Sequence, residues 1–158
     1  MILYHGTNTD FHIIDLSKSR KYKDFGQGFY LTEDEKQANR LSIQRSLVDG
    51  GSTIVLTFEF DEESASKDET LKIIRFEEYN KDWALFVNKN RNLNYSGRMH
   101  DFDIVYGPIA DDTVGLQGKL FNQQLRDIDT LIDRLKFVVP TFQYYFGTDA
   151  ALKYLRRV

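Results

Sequence analysis

The chain has 158 residues, a length that holds one hydrophobic core and rules out a multidomain enzyme. Lys and Arg number 21 against 24 Asp and Glu, and the net charge of −3 supplies no global field for nucleic acid or an anionic membrane, so a polyanion must meet a local patch. The absence of Cys excludes disulfides, thiolate nucleophiles, cysteine zinc sites and iron–sulfur clusters, and 14% aromatic residues exclude a disordered chain.

The three His are too scattered to suggest a metal, and none is expected. The chain begins MILYHGTNTD, without the basic start and apolar run of a signal peptide, and no apolar run approaches roughly 18 residues. One domain over residues 1–158, in the cytoplasm and away from membranes, is the expectation.

Met1 to Tyr4 reads as a buried strand feeding a turn at His5-Gly6-Thr7. The following loop carries Lys18, Arg20, Lys21 and Lys23, and Phe25 to Leu31 reads as a glycine-flanked strand of aromatic and apolar residues. Thr32, with Glu35 three positions on, predicts a capping box for a helix through Ala38 to Val48 that Gly50-Gly51 ends. Thr53 to Phe60 and Leu71 to Phe76 read as strands, and the acidic stretch between them as a solvated loop. Tyr79, Trp83, Phe86 and Val87 predict a helix over Glu77 to Asn90, and Asp103 to Tyr106 a strand ended by Gly107-Pro108. The stripe Leu125, Ile128, Ile132 and Leu135 predicts the longest helix over Leu120 to Phe137. After Val138-Val139-Pro140 comes a last strand, Phe142 to Phe146, and a short helix capped by Thr148 and ending at Leu155-Arg156-Arg157. Strands and helices mix without a regular βαβ rhythm, which predicts an α+β fold rather than a Rossmann domain.

Three short elements place polar or aromatic groups on strands beside glycines, where a planar ligand approaches the backbone: Leu3 to Thr7, Phe25 to Thr32, and Thr141 to Phe146. Each has a plain alternative. His5 also reads as a hydrogen-bonded structural histidine, Tyr30 as core, Gln143 as a solvent-facing alternation, and the basic stretch around Arg20 as a solvated loop.

In order along the chain, His5-Gly6-Thr7, Gly26-Gln27-Gly28-Phe29-Tyr30 and Gln143 resemble the ADP-ribosyltransferase superfamily, in its branch marked by a His, a Tyr and a third-strand Glu. The strings KDFGQGFYLT, DFDIVYGPIADD and FQYYFGTDAALKYL are similar to short bacterial proteins placed in that superfamily, nearly end to end. The resemblance implies a split sheet flanked by helices and cleavage of the nicotinamide–ribose bond of NAD through an oxocarbenium-like transition state. It implies that His5, Tyr30 and Gln143 are the catalytic positions. His5 would bond a ribose hydroxyl, Gly6 would offer its backbone to the nicotinamide amide, Gly28 would admit the ring and Tyr30 would stack on it, with Thr7 and Phe29 in the same NAD-binding set; the guanidinium fork of Arg20 suits the pyrophosphate.

The sequence departs from the pattern at Gln143. An amide binds a ribose hydroxyl but neither stabilises positive charge as a carboxylate does nor acts as a base, and losing such a contact costs about 3 to 4 kcal/mol. The reading is therefore a mono-ADP-ribosyltransferase, of the toxin or effector kind, acting on a protein or nucleic acid and opposed by a neutralising partner protein. The alternative is a weak or inactive module of that fold that binds NAD or a protein partner. An RNA 2′-phosphotransferase ranks last, because it needs several arginines around a phosphate and only Arg20 can be placed.

Overall fold

A computed structural model describes residues 1–94, 96–110, 128–135 and 139–158. The N-terminal apolar run forms β1 (Ile2–Thr7), which continues through His5-Gly6-Thr7 where a turn is expected. The extension follows from pairing: β3 (Ile54–Phe60) runs antiparallel beside it, with His5 opposite Leu56 and Thr7 opposite Ile54. Gly6 belongs in the strand because α1 (Glu35–Asp49) lies on it, and a Cβ there would stand 2.0 Å from the Ala38 carbonyl oxygen.

Only Phe29–Leu31 of the expected second strand pairs, as β2. Phe25 is fully buried but sits in a loop, between Tyr22 at φ 61 and Gly26 at φ 92. The cap of α1 is Asp34, whose Oδ1 accepts from Lys36 N at 2.9 Å, while the Thr32 hydroxyl donates to Gln37 Oε1 at 2.6 Å; the cap therefore stands two residues beyond the expected Thr32, and the hydrogen bonds among the described residues do not include the expected pairing of Thr32 with Glu35. Gly50, at φ 76, ends the helix as its sequence predicts.

The acidic stretch expected as a loop contains α2 (Glu62–Lys67). Asp61 caps it by accepting from Ser64 N at 3.0 Å, two glutamates occupy the first turn, and Ala65 is fully buried under the sheet. β4 (Ile73–Arg75) follows, and α3 (Lys81–Arg91) starts four residues later than expected, where Asn80 caps Trp83 N. β5 (Ile104–Pro108) takes in the Gly-Pro that was to end it. Of the long helix expected over 120–137, only α4 (Ile128–Leu135) falls among the described residues, with Ile128, Leu131 and Leu135 buried; Leu125 lies outside them.

β6 (Phe142–Phe146) has the expected bounds. Thr148 caps α5 (Asp149–Leu152) as predicted, but the chain then forms a strand, β7 (Leu155–Arg157), where a helix end is expected. The cause is the open edge of β3, onto which Phe58 pairs with Arg157 and Glu59 with Arg156.

The fold is α+β. One sheet is antiparallel in the order β1-β3-β7, and the other runs β2-β6-β5-β4 with β4 parallel to β5. They meet at a seam where Tyr4 and Thr32 exchange two backbone hydrogen bonds, of 2.8 and 3.0 Å. Leu3, Phe29, Leu56, Phe58 and Phe146 fill the core between the sheets, and Phe25, Trp83, Val105, Leu135 and Tyr145 fill a second core beneath α3 and α4.

Candidate functional site

At the seam, His5 at the middle of β1 faces β2. Its Nδ1 lies 2.7 Å from the Tyr30 carbonyl oxygen, which only accepts, so Nδ1 carries the proton and Nε2 is left with a lone pair. His5 is 8% exposed, and its imidazole packs on the Phe29 ring at 4.5 Å between centroids. Burial is the main cause that pushes its pKa down to about 4, with Arg45 and Lys23 adding to it, so the ring is neutral.

Tyr30 is fixed at its far end, where the hydroxyl donates to Gly26 O at 2.7 Å and accepts from Phe25 N at 3.0 Å. Burial drives the pKa of this phenol well above its ordinary value, and the Asp24 carboxylate adds to the shift. The residue as a whole is only partly buried, and Lys23 Nζ lies over its ring at 4.6 Å from the centroid.

His5, Thr7, Arg20, Gly28, Phe29 and Tyr30, six of the positions singled out in the sequence, line one cleft of about 470 Å³. Lys23, Arg45 and Asp49 line it too. Arg45 was missed by the sequence reading, although a signal exists: Ala38 and Ser42 are the buried face of α1, and Arg45 and Asp49 continue that face at helical spacing. Arg20 pairs with Asp49 at 2.8 Å. Lys23 has its pKa pushed down to about 8, first by burial and then by the Arg45 charge, and Arg45 is lowered by burial and by Arg20. The lining also holds Asp10, Asp15 and Asp49, so positive charge gathers only where Arg20, Lys23 and Arg45 come together, and there their mutual repulsion adds to the effect of burial.

Gln143 and Gly6 are not among the residues lining this cleft. Gly6 is occupied by the approach of α1. Gln143 shares a sheet face with Tyr30, because Tyr30 pairs with Tyr145 two residues along β6, but its Nε2 donates to Asp24 Oδ2 at 2.9 Å. Gly28 lines the cleft, and its lack of a side chain is required by the Tyr145 ring, which would stand 2.2 Å from a Cβ. Asp24 escaped the sequence reading, and nothing in its local pattern marks it as buried. Among the described residues there is no cluster of three or more His, Cys, Asp or Glu able to hold a metal, and no helix long and apolar enough to cross a membrane.

The fold and site thus define an α+β protein with a histidine- and tyrosine-lined cleft of mixed charge at the seam of two sheets. The chain belongs to the family described as "Protein of unknown function (DUF3990)", which matches residues 1–157. No curated protein and no solved structure matches it.

Proposed function

We propose that the protein binds NAD in this cleft and transfers its ADP-ribosyl group to an acceptor, as a mono-ADP-ribosyltransferase. The convergence of neutral His5, the partly buried Tyr30 under Lys23, and the cations Arg20, Lys23 and Arg45 on one cleft carries the proposal. His5 Nε2 accepts a ribose hydroxyl, the Tyr30 ring takes the nicotinamide once Lys23 moves aside, and the cations hold the pyrophosphate. In the reaction the bond from ribose C1′ to the nicotinamide nitrogen breaks, and its electron pair neutralises the pyridinium ring. The acceptor's nucleophilic atom bonds to C1′ and loses its proton to solvent.

A protein or a nucleic acid is the acceptor class, and a neutralising partner protein would accompany a transferase of the toxin kind. The tie from Gln143 to Asp24 favours a second reading, a module that binds NAD or an ADP-ribose-like ligand without turnover, because the third-strand position then offers neither charge nor base. Incubation with labelled NAD and a cell lysate separates the two. Free nicotinamide with label on a macromolecule supports transfer, saturable NAD binding without nicotinamide release supports the module, and absence of binding at millimolar NAD overturns both.

A further inference from the structure

Asp24 is 7% exposed, yet its carboxylate has three donors. Gln143 Nε2 and Ala110 N each donate to Oδ2 at 2.9 Å, and Arg91 Nε stands 2.9 Å from Oδ1. These donors belong to β6, to the residues just after β5, and to the end of α3. Asp24 itself lies in the cleft loop. Lys23 before it covers the Tyr30 ring, and Phe25 N and Gly26 O after it hold the Tyr30 hydroxyl. The loop turns through two positive φ values, at Tyr22 and Gly26, which send Lys23 to the cleft and Asp24 to the core. A non-glycine residue in that region persists only where its surroundings hold it.

We infer that Gln143 and Asp24 form an amide–acid latch that fixes the 22–26 loop, so that Gln143 is a positioning residue acting on the cleft through Asp24 and does not touch the ligand. The consequence for NAD rests on the function proposed above, whereas the latch itself does not. A carboxylate only accepts, so its buried neighbour must donate. Glutamine donates, and glutamate does not unless protonated. On this view residue 143 is an amide because residue 24 is an acid, and the effect of changing one depends on the other.

The test reads Lys23 as well as NAD. Acetylation of Lys23 by acetic anhydride, followed by peptide mass mapping against pH, reports the loop without any ligand; in the parent its midpoint is expected near pH 8. Gln143→Met removes the donor without adding charge. It is expected to move that midpoint up by about one unit, slowing Lys23 acetylation roughly tenfold below the parent midpoint, and to weaken NAD binding about tenfold. Gln143→Glu is expected to lower the melting temperature in the parent. Adding Asp24→Asn is expected to recover part of that loss, because the amide introduced at position 24 then donates to the carboxylate introduced at position 143, while Ala110 N loses its acceptor at Oδ2.

An unchanged Lys23 profile in Gln143→Met overturns the latch. So does a Gln143→Glu protein that folds as the parent does and releases nicotinamide faster, which would place residue 143 at the reacting ribose. Failure of every variant and the parent to bind NAD overturns the proposed function, and the Lys23 profile then decides the latch alone.

Discussion

His5 donates its Nδ1 proton to the carbonyl oxygen of Tyr30 at 2.7 Å, a bond that joins β1 to β2 across the seam of the two sheets. It fixes the imidazole as one neutral tautomer and ties the two residues of the proposed site to one another. It also makes His5 a point where acid acts on the fold.

Because the pKa of His5 falls from 6.5 to about 4 on folding, the unfolded chain binds more protons between those values, and stability rises with pH there. The contribution is complete above pH 6.5 and is lost as pH falls toward 4, to a total of about 3 kcal/mol. Urea unfolding of His5→Phe against the parent checks this. The variant keeps a ring against Phe29 and is expected to lose less stability than the parent across that window; equal slopes would remove His5 as the cause.

Tyr30→Phe and Tyr30→Ala are expected to separate fold from function. Phe keeps the stacking face but leaves Gly26 O and Phe25 N without their buried partner, at a cost of about 1 to 3 kcal/mol. Its melting temperature falls while NAD affinity is kept within a few-fold. Ala is expected to lose both, with a further loss of roughly 0.5 to 1.5 kcal/mol in NAD binding from the missing ring face. Calorimetric titration beside thermal melts measures the two quantities.

The cations predict a pH dependence of ligand binding as well as of stability. Lys23 is charged below about pH 8, so NAD affinity is expected to fall as pH rises through that value, and to fall with added salt. Its folded pKa lies below the ordinary 10.5, so the unfolded chain holds the proton more readily, and stability declines as pH drops from 10.5 to about 8. Lys23→Met should therefore stabilise the fold at neutral pH while weakening NAD binding, and Arg45→Gln should weaken binding by about tenfold, or about 1.4 kcal/mol. A Lys23→Met protein less stable than the parent would contradict this.

Gly6 and Gly28 are expected to be intolerant of alanine for packing reasons alone. Gly6→Ala meets the Ala38 backbone, which cannot turn aside, and Gly28→Ala meets the Tyr145 ring and the Phe146 carbonyl oxygen. Losses of about 1 to 3 kcal/mol or more are expected in thermal melts, with or without NAD present. A variant of Gly28 that melts as the parent does but fails to bind NAD would instead assign this glycine to the ligand.

The sequence by itself determined the α+β character, the full extent of β6, the Gly50 end of α1 and the Thr148 cap of α5, because each is written in residues adjacent along the chain. It also singled out His5, Arg20 and Tyr30, which do share a cleft. Only the tertiary structure decided that Leu155–Arg157 is a strand, since the edge of β3 that pairs with it lies far away in sequence. The same holds for Asp24, whose hydrogen-bond partners Ala110 and Gln143 stand 86 and 119 residues further along. Gln143 reads locally as one polar residue in an aromatic strand, and what it does is set by a buried carboxylate that must be paired. A buried charge takes its partners from whatever the fold brings beside it, and local periodicity carries no record of that choice.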